Sequence, residues 1–91
     1  MNENIQFEAT NIQTIIGAIW KTVFDEDHDI GLDEDFYDLG GNSLLSNEIK
    51  IAVKDTLGLE IEAGDVYEYP TIRSLTDYII QKHNDLNDSK M

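Results

Sequence analysis

Apolar residues recur at intervals of three and four in three separate stretches of this 91-residue chain, with no convincing strand between them. Ile12, Ile15, Ile16, Ile19, Val23 and Phe24 predict a helix over Asn11–Phe24, with Thr10 as N-cap and Gln13 reaching back to close a capping box. Leu45, Ile49, Ala52, Val53 and Leu57 define the core face of a second helix, from Ser43 to about Leu57, where Gly58 supplies the stop. Ile72, Leu75, Tyr78 and Ile79 form the stripe of a last helix, capped by Thr71 and ending near His83. Asp65–Glu68 forms one short turn, ended by Tyr69-Pro70 because a residue before proline avoids the α region. The fold class is all-α: a small bundle of three main helices and a minor third one. One domain over residues 10–83 is expected, with a flexible start (1–9) and a flexible polar tail (84–91).

Residues 25–42 break the pattern. Asp25, Glu26, Asp27, Asp29, Asp33, Glu34, Asp35 and Asp38 crowd a stretch interrupted by Gly31, Gly40 and Gly41. Loops of this length inside a compact domain are often functional. Phe36, Tyr37 and Leu39 are expected to pin it to the core, as Ile61 pins the shorter linker Leu59–Gly64. The carboxylates invite a calcium-loop reading, but a loop starting at Asp25 puts Ile30 where a glycine is needed and Phe36 where the last ligand belongs. No metal site is read here.

Charge and composition narrow the function classes. Nineteen Asp and Glu against six Lys and Arg give a net charge of −13. That balance opposes nucleic acid and anionic membrane surfaces and suits a cationic partner. The longest apolar run, Ile15–Trp20, is far short of a membrane span, and Met1–Thr10 has no signal-peptide pattern. There is no cysteine, hence no disulfide, thiolate metal site or cysteine nucleophile, and a cytoplasmic location is expected. A domain this size buries only about 60–65% of its extended surface, which leaves little room for a deep catalytic cavity. His28 and His83 are the only histidines, and no G-x-S-x-G elbow accompanies them, so a serine hydrolase is rejected.

Asp38-Leu39-Gly40-Gly41-Asn42-Ser43-Leu44-Leu45 places a serine at a helix start, after a glycine pair. Turn formation with Ser43 as N-cap explains this by itself. The same position also suits a phosphate ester on the hydroxyl, at the positive end of the helix dipole beside unpaired N–H groups. The two glycines would leave the approach to the hydroxyl open. With no base beside it in sequence, Ser43 reads as an attachment point rather than a nucleophile.

The string Asp38–Leu44 resembles the phosphopantetheine attachment site of carrier proteins, closest to the peptidyl carriers of nonribosomal peptide synthesis and related polyketide acyl carriers. Phe36-Tyr37-Asp38-Leu39 is similar to the aromatic lead-in of that motif. Val66-Tyr67-Glu68-Tyr69-Pro70-Thr71-Ile72 resembles the junction between the family's third and fourth helices, and Leu75 with Asp77-Tyr78-Ile79 fits its last helix. The likeness covers roughly residues 11–82 and implies the four-helix acyl carrier fold.

The resemblance implies a non-catalytic, monomeric, free-standing carrier. Ser43, flanked by Gly40, Gly41, Asn42 and Leu44, would hold 4′-phosphopantetheine transferred from coenzyme A by a phosphopantetheinyl transferase. The thiol absent from the chain would come with the cofactor and hold aminoacyl, peptidyl or acyl cargo as a thioester. Implied partners are an adenylation or acyl-loading enzyme and downstream condensing, tailoring or thioesterase enzymes. The outward face of the second helix would be the docking surface, with Leu44 and Ile51 as apolar anchors and Glu48 and Asp55 meeting basic residues. The fatty-acid type has an aspartate before the serine and a strongly acidic second helix. This chain has Asn42, and Lys50 and Lys54 interrupt the acidity, which favours a specialised peptide or polyketide pathway. A fatty-acid-type acyl carrier and an unmodified interaction module of the same fold remain the alternatives.

Overall fold

The computed structural model describes residues 8–88, and Met1–Phe7 and Ser89–Met91 lie outside them. Among the described residues there are four helices and no strand: α1 (Ala9–Val23), α2 (Ser43–Leu57), α3 (Ala63–Glu68) and α4 (Ile72–Asp88). α1 packs against α4 and α2, and α3 packs against α2. None of these helices is long and apolar enough to cross a membrane.

The core is built from the predicted stripes. Ile12, Ile16 and Trp20 of α1, Ile49 and Val53 of α2, Val66 of α3, and Ile72, Leu75 and Ile79 of α4 are all fully buried. Each such side chain contributes roughly 1.5–3 kcal/mol relative to exposure. Leu59 and Ile61 bury the α2–α3 connection, and Ile30 and Phe36 bury the long loop.

Helix ends differ from the sequence expectation in three places. α1 starts at Ala9, with Glu8 as N-cap, and Thr10 lies inside its first turn. The Ile12 N–H donates to the Glu8 carbonyl at 3.0 Å, so a backbone bond opens the helix before Thr10 can cap it. The Thr10 carbonyl accepts from Thr14 Oγ1 at 3.0 Å. α3 begins two residues before Asp65, because the Asp65 carboxylate accepts from the Glu62 backbone N–H at 2.8 Å and closes a capping box there. α4 runs past His83 to Asp88, since no proline or glycine follows His83 to stop it. Of the two segments expected to be flexible, residues 1–7 and 89–91 lie outside the described residues. Gly58 ends α2 as expected, with φ 71°. Thr71 caps α4 as expected, its Oγ1 accepting from the Ser74 N–H at 3.0 Å.

The long loop is tied down at both levels, backbone and side chain. Arg73 N–H donates to the Leu32 carbonyl at 3.0 Å, and Phe36 N–H to the Pro70 carbonyl at 2.7 Å. The Arg73 guanidinium grips Asp33 through Nε at 2.9 Å and Nη2 at 3.2 Å. This hydrogen bond holds the Asp33 carboxyl below its ordinary range. Phe36 lies among the rings of Trp20, Phe24, Tyr37 and Tyr67, with centroids 5.5–5.9 Å away. Tyr37, expected in the core, is 52% exposed; its ring lies on Tyr67 and its hydroxyl donates to the Tyr67 carbonyl at 3.3 Å. Its hydroxyl needs a polar partner, and the Tyr67 carbonyl near the end of α3 supplies one.

Candidate functional site

Each residue of the Gly40–Leu44 string has a separate physical task. Gly40 has φ +90°, a conformation that disfavours any Cβ. Gly41 has a different reason: a Cβ built there would overlap the Phe36 ring. A Cβ at Gly40 would meet nothing within 4 Å, so backbone conformation asks for glycine there, whereas packing against Phe36 asks for it at Gly41. The Gly41 N–H also donates to the Phe36 carbonyl at 2.9 Å, so the turn folds back onto its own anchor.

Asn42, not Ser43, is the N-cap of α2. Its side chain accepts from the Leu45 N–H at 3.0 Å, and its carbonyl accepts from the Ser46 N–H at 2.9 Å. Asparagine in the extended conformation at this position leaves the serine one step further on, as the first helical residue. Ser43 is exposed, and its hydroxyl has no hydrogen-bond partner among the described residues. With the Leu45 N–H taken by the cap, the free first-turn donors are those of Ser43 and Leu44. An exposed hydroxyl, open space over Gly40 and two free N–H groups at a helix N-terminus fit a phosphodiester on Ser43 Oγ.

Sequence reasoning missed Ser46. It is fully buried, and its Oγ donates to the Ser43 carbonyl at 3.0 Å, fixing the first turn from below. Its spacing of three from Ser43 was the available signal, hidden because serine reads as a surface residue. It also missed the Arg73–Asp33 clip, whose partners are 40 residues apart.

The outward face of α2 carries the expected residues. Leu44 is 65% and Ile51 51% exposed, and Glu48 and Asp55 are exposed beside them. On the other flank, Lys54 pairs with Glu60 at 3.1 Å, holding that carboxyl below its ordinary range. His28 lies exposed in the loop, away from the core. Tyr78 packs flat on Tyr69 and donates to Asp65 at 2.9 Å; burial first, and then that hydrogen bond, push its hydroxyl up to about 12.

A four-helix bundle with a long clamped loop and a bare serine at the start of α2 is the architecture of a carrier domain. The family described as phosphopantetheine attachment site matches residues 14–79, and the chain belongs to it. Among curated relatives, the PKS-NRPS hybrid synthetase acdB of Aspergillus candidus is 35% identical over 72 residues, 79% of this chain. A dimodular nonribosomal peptide synthase of Bacillus subtilis is 38% identical over 48 residues, 53% of this chain. The chain spans 3% of the length of the first of these proteins and 2% of the second. Among solved structures, BlmI, a type-II acyl carrier protein of Streptomyces verticillus involved in bleomycin biosynthesis, superposes with a TM-score of 0.75 at 29% identity. That match covers 86% of this chain and 89% of BlmI. A free-standing peptidyl carrier protein of Acinetobacter baumannii shares the fold, with a TM-score of 0.77 at 21% identity over 85% of this chain and 98% of its own.

Proposed function

We propose that Ser43 Oγ is the residue that carries 4′-phosphopantetheine, and that the chain thereby presents aminoacyl, peptidyl or acyl cargo in nonribosomal peptide or polyketide-type biosynthesis. The observation that carries this reading is the exposed, unpartnered Ser43 hydroxyl at the first turn of α2, behind a packed glycine turn. The group supplies a thiol that holds cargo as a thioester, which this cysteine-free chain lacks. No side chain among the described residues takes a hydrogen bond from Ser43 Oγ, so the base that accepts its proton belongs to the transferase.

The chain itself then binds and presents and does no bond chemistry. The Asn42 cap and the buried Ser46 hydroxyl hold the first turn of α2 still, and the Phe36–Gly41 contact holds the turn before it. Leu44 and Ile51 are the apolar anchors for partner enzymes, with Glu48 and Asp55 meeting basic residues. The partners are a phosphopantetheinyl transferase, a loading enzyme and the enzymes that take the cargo onward.

Intact mass after incubation with coenzyme A and a broad-specificity phosphopantetheinyl transferase tests the site. The wild-type chain gains one phosphopantetheine and Ser43→Ala gains none, while the two melt together, because an exposed hydroxyl without partners contributes nothing to the fold. A gain in both would move the attachment to another hydroxyl.

A further inference from the structure

Acidity is spread unevenly over this chain. α1 holds none of the nineteen carboxylates in its fifteen residues. Its one charge, Lys21, is turned to the long loop, where it pairs with Asp29 at 3.3 Å. Between α1 and α2 runs an open groove of about 350 Å³. Ile15, Ala18, Thr22 and Val23 form one wall and Ala52 and Thr56 the other, and no charged side chain among the described residues lines it. Ala18, Thr22 and Thr56 are exposed, and Ile15, Val23 and Ala52 are half-buried.

The α2 lip of this groove is acidic. At 100° per residue, Glu48 lies about 40° and Asp55 about 60° from Ala52 around the helix axis, both on the outer side. Both are exposed and form no ion pair among the described residues. Ser43 lies about 180° from Ala52 and about 140° from Thr56 around the same axis, so the groove opens away from the attachment hydroxyl. A second copy of the chain is a poor occupant, because a charge of −13 repels its like and the same two carboxylates would meet across the lip. The wall from Ile15 to Val23 is about 12 Å long, which matches an apolar stripe at i, i+3, i+4 and i+7 of another helix.

We propose that the α1–α2 groove binds an amphipathic helix of a partner protein. Its apolar stripe packs on Ile15, Val23 and Ala52, and a lysine or arginine flank meets Glu48 and Asp55. This partner holds the carrier from the side away from Ser43, so loading proceeds while it is bound. Glu48 and Asp55 form the ridge between the groove and the face of Leu44 and Ile51, with carboxylate oxygens for both. The holding role rests on Ser43 as the attachment residue; the groove itself does not.

The probe is a synthetic helix of about 18 residues with leucines at that spacing and lysines on both flanks. A second peptide keeps the leucines and carries glutamates in place of the lysines. Methyl NMR of the whole chain follows binding. The lysine peptide shifts the Ile15, Ala18, Val23 and Ala52 signals, and the glutamate peptide does not. Ala18→Gln, an exposed and uncharged change that fills the groove, weakens binding about tenfold and melts with the wild type. With coenzyme A and the transferase, the peptide-bound chain gains phosphopantetheine at the rate of the free chain. Shifts confined to Leu44 and Ile51, equal binding of both peptides, or binding unchanged by Ala18→Gln overturns the groove as a site for a basic helix. A dimer in sedimentation that Ala18→Gln removes gives the groove to a second copy and overturns the partner helix. Loading blocked by the peptide overturns the holding role. No gain in mass without the peptide overturns Ser43 and with it the holding role, while the NMR decides the groove by itself.

Discussion

Phe36–Gly41 and Ser43–Leu44 are separated by one residue and built on opposite principles. In the first, a ring is sealed among four others, a glycine sits where any Cβ would overlap that ring, and two backbone bonds anchor Phe36. In the second, a hydroxyl faces solvent with no partner among the described residues and a leucine is 65% exposed. Asn42 is the hinge between them, its side chain closing the helix and its backbone leaving the turn. For the attachment role proposed for Ser43, the contrast teaches that such a residue is held by its neighbours and not by its own contacts. A transferase must reach the hydroxyl, so every restraint on its position has to come from behind it.

Breaking the packed side costs stability in a graded way. Phe36→Ala removes the ring that ties the loop to α1 and α3, and is expected to cost about 3–5 kcal/mol. Urea unfolding measures it; a cost near that of a surface change would mean the loop does not depend on this ring. Gly41→Ala forces the Phe36 ring aside and is expected to cost about 1–3 kcal/mol. At about 4–8 °C per kcal/mol this is easily seen in a thermal melt. The same variant should also slow loading of Ser43, since the turn before it moves.

Asn42→Ala removes the cap and is expected to cost about 1 kcal/mol, while Asn42→Asp keeps it. Circular dichroism melts of the pair separate the cap from any effect of charge. The smallest effect is at Asp33. Its carboxyl is held below its ordinary value of 3.8 by Arg73, so the folded chain keeps the charge to lower pH than the unfolded one. Stability from the pair is therefore full above that value and is lost as pH falls through the lowered one. Asp33→Asn should flatten the acid side of the stability profile and leave the profile at pH 7 and above nearly unchanged, since the pair is exposed. An unchanged acid limb would show that the loop is held by its backbone bonds to Pro70 and Arg73 alone.

The helices were legible because burial imposes the 3.6-residue period on each one alone. Ile12, Ile16, Ile49, Val53, Leu75 and Ile79 were all placed correctly by spacing. Helix starts were less legible, because a cap depends on which of several candidate groups the backbone reaches first. Thr10 lost to the Glu8 carbonyl, and Ser43 gave way as cap to Asn42. The loop anchors were half legible. Phe36 was identified, but Tyr37 stays half exposed with its hydroxyl on the Tyr67 carbonyl, and Ile30 went in unannounced.

Sequence by itself determined the all-helical class, the position of Ser43 at the start of α2 and the exposed apolar pair Leu44 and Ile51, because each follows from local spacing along one helix. Only the tertiary structure decided why Gly41 must be glycine and which residue clips the acidic loop. Those facts join residues from different elements, and a contact between distant segments exists only once the core has fixed their separation.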